Sequence, residues 1–284
     1  MRLLHLAYLF LALCYFGVSS CVPVPAEKLS QLTLDIERKL VGDSLSIRIV
    51  NPVFAPLEFE LQSSNAFIER AVKHEPLVVL QAYDTFEKSW FIDSLTAIDT
   101  SEFAAQLKVS LYFSATEFIE DRPEIELPFP RGHRYRIIQA YNGRFSHRSD
   151  YSRYAIDFGL SVGDTICAVA GGYVVGIIQD YTAGGNSAKL RDYANYITIY
   201  HPEGEFYTQY VHLSPQGVLV RMNDWVTSGQ AIALSGETGF TSIPHLHFNV
   251  LQPVPGAGPV SAPINFKEGY KGMELRKNSW VRKN

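Results

Sequence analysis

Apolar and polar residues alternate with period two in segment after segment of this chain. No convincing helical stripe competes with them between Leu29 and Pro128. "LTLDIERKL", "SLSIRIVN", "LEFELQSS", "LVVLQAY" and "AQLKVSLYFSAT" are separated by the turn-prone "VGDS", "NPVFAPL" and "IEDRPE". Short strands at that spacing predict a β-sandwich over residues 29–128. "ELPFPRGHRY" marks a boundary, and residues 133–270 continue as "RYAIDFG", "GYVVGIIQD", "NYITIYHP", "EFYTQYVHLS", "QAIALSG" and "HLHFNVLQ". The expectation is an all-β protein of two domains with residues 271–284 as a tail.

With 284 residues, 46% of them hydrophobic, the chain is long enough to bury such cores. A formal net charge of −4 and the lack of any Lys/Arg run exclude the electrostatic footprint of a nucleic-acid binder. At the amino end, Arg2 precedes an apolar stretch from Leu6 to Val18, the build of a secretory signal over residues 1–20. Val18-Ser19-Ser20-Cys21 resembles a bacterial lipobox, which makes Cys21 a lipidation site and the chain a periplasmic, outer-membrane lipoprotein. Plain secretion after Ser20 is the competing reading, with Cys21 free or bridged to Cys167. The membrane is otherwise no partner, and oligomeric state is not legible.

Five of the eight histidines follow Phe145. In "SIPHLHF", His245 and His247 stand two apart on a strand and share one sheet face, while Leu246 and Phe248 take the other. In "YAIDFG", Asp157 falls opposite Ile156 and Phe158, and a covered carboxylate needs a partner. His212 ends the strand in "TQYVHLS", and His147 precedes Asp157 across a polar loop. His201 and His133 sit in turn contexts and receive no chemical role. Two histidines, one aspartate and an open position describe a catalytic zinc site, since structural sites close with four ligands and favour cysteine. Zinc suits amide hydrolysis, with further histidines as general base and acid.

"YAIDFGLSVGDTICAVAGGYVVGI", "ANYITIYHPEGEFYTQYVHLS" and "VTSGQAIALSGETGFTSIPHLHFNV" together resemble the lysostaphin-type, or LytM-domain, zinc endopeptidases that cut peptide cross-links in bacterial cell walls. The resemblance runs from about Phe145 to Gln252 and implies a twisted antiparallel, duplicated-hybrid-motif-like sheet. It implies His147, Asp157 and His247 as ligands of one zinc ion per chain. It makes His212 and His245 the catalytic pair, and Asn195 a substrate contact at the groove edge. Peptidoglycan peptides become the expected substrate. The family pattern puts its first histidine four positions before the aspartate, where this chain has Arg153, so His147 stands for it only if a loop folds out between them. Tyr193, Tyr196 and Phe240 are candidate groove-lining residues, and Gly236 and Gly239 shape a turn beneath the groove. Two other functions fit parts of the pattern: a metal-free activator of a cell-wall amidase, and a secreted protease of glycine-rich proteins.

Overall fold

The alternation in "SLSIRIV" sends Leu45, Ile47 and Ile49 to one side of strand Ser44–Val50, where all three are buried. That strand is the middle of a three-stranded antiparallel sheet with Asp35–Val41 and Thr85–Phe91. A second such sheet centres on Leu57–Ser63, between Val78–Leu80 and Leu107–Phe113. Leu45, Ile47, Phe59, Leu61 and Leu107 draw both sheets into one core. The computed structural model describes residues 24–25, 27–75, 77–92, 106–115 and 123–284; the signal segment and Cys21 lie outside them.

A short helix departs from the all-strand expectation for this half. Ala66–Val72 is capped by Asn65, whose Oδ1 accepts from the amides of Phe67 and Ile68 at 2.9 and 3.3 Å. Its Ile68 and Val72, four apart, complete the core. Two turns are too short to print a readable 3.6 period.

The second half is a nine-stranded sheet. Its central strands run Gly172–Ile178, Tyr196–His201, Phe206–Val211, Leu246–Val254, Ile156–Phe158 and Arg134–Gln139 in spatial order. A three-stranded sheet of Leu213–Val218, Ala231–Ser235 and Thr165–Cys167 packs with it over a core that includes Phe158, Tyr210, Ile232 and Phe248. Cys167 lies buried there, with no disulfide partner among the described residues.

Both expected ends of this domain shift. Ile125, Leu127 and Phe129, placed in the linker and the sandwich by their sequence, belong to the second core. Residues 271–284, expected as a tail, supply strand Trp280–Arg282, which pairs with Arg134–Gln139 and buries Val281. A three-residue strand carries too little alternation to be seen in advance.

One face of the nine-stranded sheet is shared between two uses. Tyr207 pairs with Leu251, Gln209 with Asn249 and Val211 with His247, so these six side chains stand on the same face. At the Tyr207 end, Val53, Ala55 and Leu57 of the first half pack on Val175, Tyr200, Tyr207 and Leu251. The Tyr207 hydroxyl donates to the carbonyls of Ser114 (2.7 Å) and Pro56 (3.2 Å). The His247 end stays open.

Candidate metal centre and its groove

On that open end, register alone gathers the polar groups. His247 pairs with Asp157, and Asp157 with Gln139, so all three project from one face of adjoining strands. Phe158 and Leu246, one position away, are directed into the core. His147 arrives from a run of turns between Asn142 and Tyr154, its amide donating to Gly143 O at 3.1 Å. The turns fold the intervening residues outward, and Arg153 points away to pair with Asp150.

His147 Nε2 and His247 Nδ1 lie 3.1 and 2.8 Å from the same oxygen, Asp157 Oδ1, and 3.2 Å from each other. The candidate ligand atoms all fall within 4.8 Å. Gln139 Nε2 donates to the other carboxylate oxygen, Oδ2, at 3.1 Å and to Ser146 Oγ at 2.8 Å. Its Oε1 accepts from the Phe145 amide at 3.1 Å. One buried amide thereby ties the aspartate to the loop that carries His147.

The donor set fits a divalent cation. His147 Nδ1 donates to the Ala140 carbonyl at 3.1 Å, which fixes the tautomer and leaves the Nε2 lone pair facing a carboxylate oxygen. That encounter is repulsive between a neutral imidazole and a carboxylate, and a cation between them makes it attractive. Burial pushes the Asp157 carboxyl up, but the closeness of the His147 and His247 rings outweighs this and holds it well below the usual range. Burial also lowers His247, keeping it neutral and able to ligate.

His212 and His245 flank the cluster with ring centroids 4.6 Å apart. His212 takes a left-handed backbone conformation (φ 67°) just past strand Phe206–Val211 and donates through Nδ1 to Thr238 O at 2.7 Å. Burial, then the neighbouring His245 and His247, push its pKa down to about 3. His245 uses Nδ1 on Ile243 O at 2.8 Å, and its Nε2 stands 3.9 Å from Asp157 Oδ1. Each ring therefore has Nε2 free. Glycine is required beneath them: a Cβ on Gly236 would sit 2.4 Å from Ser214 N, and one on Gly239 (φ 81°) 2.6 Å from Ala194 Cβ.

These groups lie in an open groove of about 930 Å³. Tyr196 and Phe240 line it, Phe240 stacked with Phe145 at 5.0 Å, whereas Tyr193 packs with Ile178 and Tyr181 instead. Asn195 corrects the sequence expectation. It is wholly buried, accepting from Tyr181 N at 3.0 Å and donating to Tyr181 O at 2.8 Å, so it pins a loop and reaches no substrate. Gln139, Thr238 and Ala140, which orient the cluster, carry no sequence signal beyond ordinary strand and loop contexts.

Residues 151–260 match Peptidase family M23. An "Uncharacterized metalloprotease" of Buchnera aphidicola is 33% identical over 129 residues, covering 44% of this chain and 31% of that protein. "Peptidoglycan DD-endopeptidase ShyB" of Vibrio cholerae is 35% identical over 95 residues, 34% of this chain and 19% of that protein. The chain thus spans less than a third of the length of either curated relative. Among solved structures, the catalytic domain of lysostaphin from Staphylococcus simulans is similar at a TM-score of 0.31 and 23% identity, covering 50% of this chain and 89% of that one. The matched segment opens at Tyr151, in the turns that deliver His147, and closes in the strand paired with the one bearing His247. That segment, well under half of the chain, is what is similar to peptidase family M23 and, at 33% identity over 95 residues, to lysostaphin of Staphylococcus staphylolyticus.

Proposed function

We propose that the protein is a zinc-dependent endopeptidase that cuts the peptide cross-links of bacterial peptidoglycan. The observation that carries this reading is the meeting of His147 Nε2, Asp157 Oδ1 and His247 Nδ1 within 4.8 Å, with Asp157 and His247 lining an open groove and His147 buried behind them. Two imidazoles and one carboxylate leave room for a further ligand, the donor set of a catalytic rather than a structural zinc site. Zinc, when bound, supplies Lewis acidity toward the scissile carbonyl and toward water.

The chain's own residues do the rest. His212, kept neutral by burial, accepts the proton of the attacking water at Nε2. His245 Nε2, its ring held by the Ile243 carbonyl, faces the same space, takes up a proton from solvent and passes it to the leaving amine as the carbon–nitrogen bond breaks. Gln139 holds the aspartate so that one oxygen points at the cluster. The groove is open enough for an extended peptide to cross it.

The relative named as a peptidoglycan DD-endopeptidase supports the substrate class. A signal peptide over residues 1–20 and a lipid on Cys21 remain part of the proposal and place the enzyme in the periplasm, at the outer membrane. The full chain, loaded with zinc, should release cross-link peptides from purified sacculi, with mass spectrometry locating the cut bond. Chelation should stop the release and added zinc restore it. Intact sacculi beside a digested glycine-rich protein would overturn the substrate assignment, and no cleavage of either would overturn the enzyme.

A further inference from the structure

The sheet face that carries the cluster continues past it to the molecule's edge. Ile137 pairs with Phe158 under the sheet, so Arg134, Arg136 and Ile138 stand on the opposite face, with Asp157. Register brings Trp280 beside Arg136 and Arg282 beside Arg134, while Val281 between them enters the core. The Arg134 guanidinium lies 5.1 Å from the centre of the Trp280 ring, which is 56% exposed. Gly159 separates Asp157 from this edge without a side chain, since a Cβ there would press within 3.3 Å of Arg136 O and Ile138.

Ile138 and Lys277 line the groove itself, so groove and edge are one surface. Among the described residues, Arg134, Arg136, Lys277 and Arg282 make no ion pair with a carboxylate. Four unneutralised cations on one face stand out in a chain of net charge −4. At a strand rise of about 3.3 Å per residue, Arg136 and Arg134 lie about 7 and 13 Å from the row of Gln139, Asp157 and His247. An extended peptide presents side chains to one side at the same interval of about 7 Å.

We propose, resting on the peptidase reading above, that this edge is an anion-binding extension of the groove that takes the carboxylate-bearing arm of an acidic peptide substrate. Arginine forks match carboxylates in a bidentate manner, and the indole supports the Arg134 guanidinium from one side. Continuity with the groove through Ile138 and Lys277 favours a substrate peptide over an anionic membrane surface.

The test compares the full chain with an R134Q/R136Q/R282Q variant by co-sedimentation with purified sacculi, native or with their carboxyl groups converted to amides. Parallel samples use vesicles of phosphatidylglycerol and phosphatidylcholine. The parent should hold native sacculi about three- to tenfold more tightly than amidated ones, a gap that narrows as salt rises. The variant should bind both kinds equally weakly, with an unchanged thermal midpoint, and R134K/R136K/R282K should recover part of the gap. A variant that binds native sacculi as well as the parent, a parent indifferent to amidation, or arginine-dependent binding to vesicles alone would overturn the proposal. Sedimentation does not depend on cleavage, so arginine-dependent binding without cleavage would count against the peptidase reading only.

Discussion

Gln139 does two jobs with one amide, fixing Asp157 Oδ2 and the loop that carries His147. Replacing it by leucine frees both, so the Q139L variant should bind zinc about 10- to 100-fold more weakly in a chelator competition while its metal-free thermal midpoint changes little. Equal zinc affinity in the two proteins would remove Gln139 from any positioning role. His212 and His245 make a different prediction, because neither is placed among the ligands. H212A and H245A should each keep stoichiometric zinc yet lose about 10²- to 10⁴-fold in kcat/KM on sacculi. Loss of metal in either variant would redraw the ligand set. His245 and His247 were legible as one face of their strand, and Asp157 as the residue set against Ile156 and Phe158 on its own, because alternation sorts side chains within a strand. Their convergence with His147 was carried by resemblance alone: nine residues, most of them in turns, separate it from Asp157, and turns have no period to read.

At the scale of elements, His201 shows how a strand end is fastened. Its ring bridges Gly171 O through Nδ1 and Thr208 Oγ1 through Nε2, both at 2.8 Å, and burial drives its pKa down to about 4. The unfolded chain takes up a proton there near pH 6.5 while the folded chain resists it until about 4. Stability therefore rises with pH across that window and falls as the solution is acidified from 6.5 toward 4, by on the order of 3 kcal/mol from this group. The midpoint of urea unfolding, followed from pH 7 to 4, should drop less steeply for H201Q than for the parent; parallel slopes would contradict the account. The turn context of His201 suggested a residue without chemistry, and nothing in "IYHPEG" signalled the buried bridge. Strands long enough to alternate were visible in the sequence. Helix Ala66–Val72 and strand Trp280–Arg282 were not, because seven and three residues carry too few repeats of either period.

Across the whole molecule, one sheet face organises everything. The amino-terminal unit covers its Tyr207 end, the His–Asp–His cluster occupies its open middle, and a basic edge closes it at Trp280. Composition could bound this plan but not draw it, since net charge hides a local run of cations and alternation says nothing of which domain sits on which face. What the function hangs on is narrower: three donors must hold one metal ion. Metal analysis of the purified full chain and of H147A asks this directly. One zinc per chain in the parent, against less than about a tenth in a variant that keeps its circular dichroism spectrum, is the predicted result. A parent without stoichiometric metal, or a variant that retains a full equivalent, would contradict it.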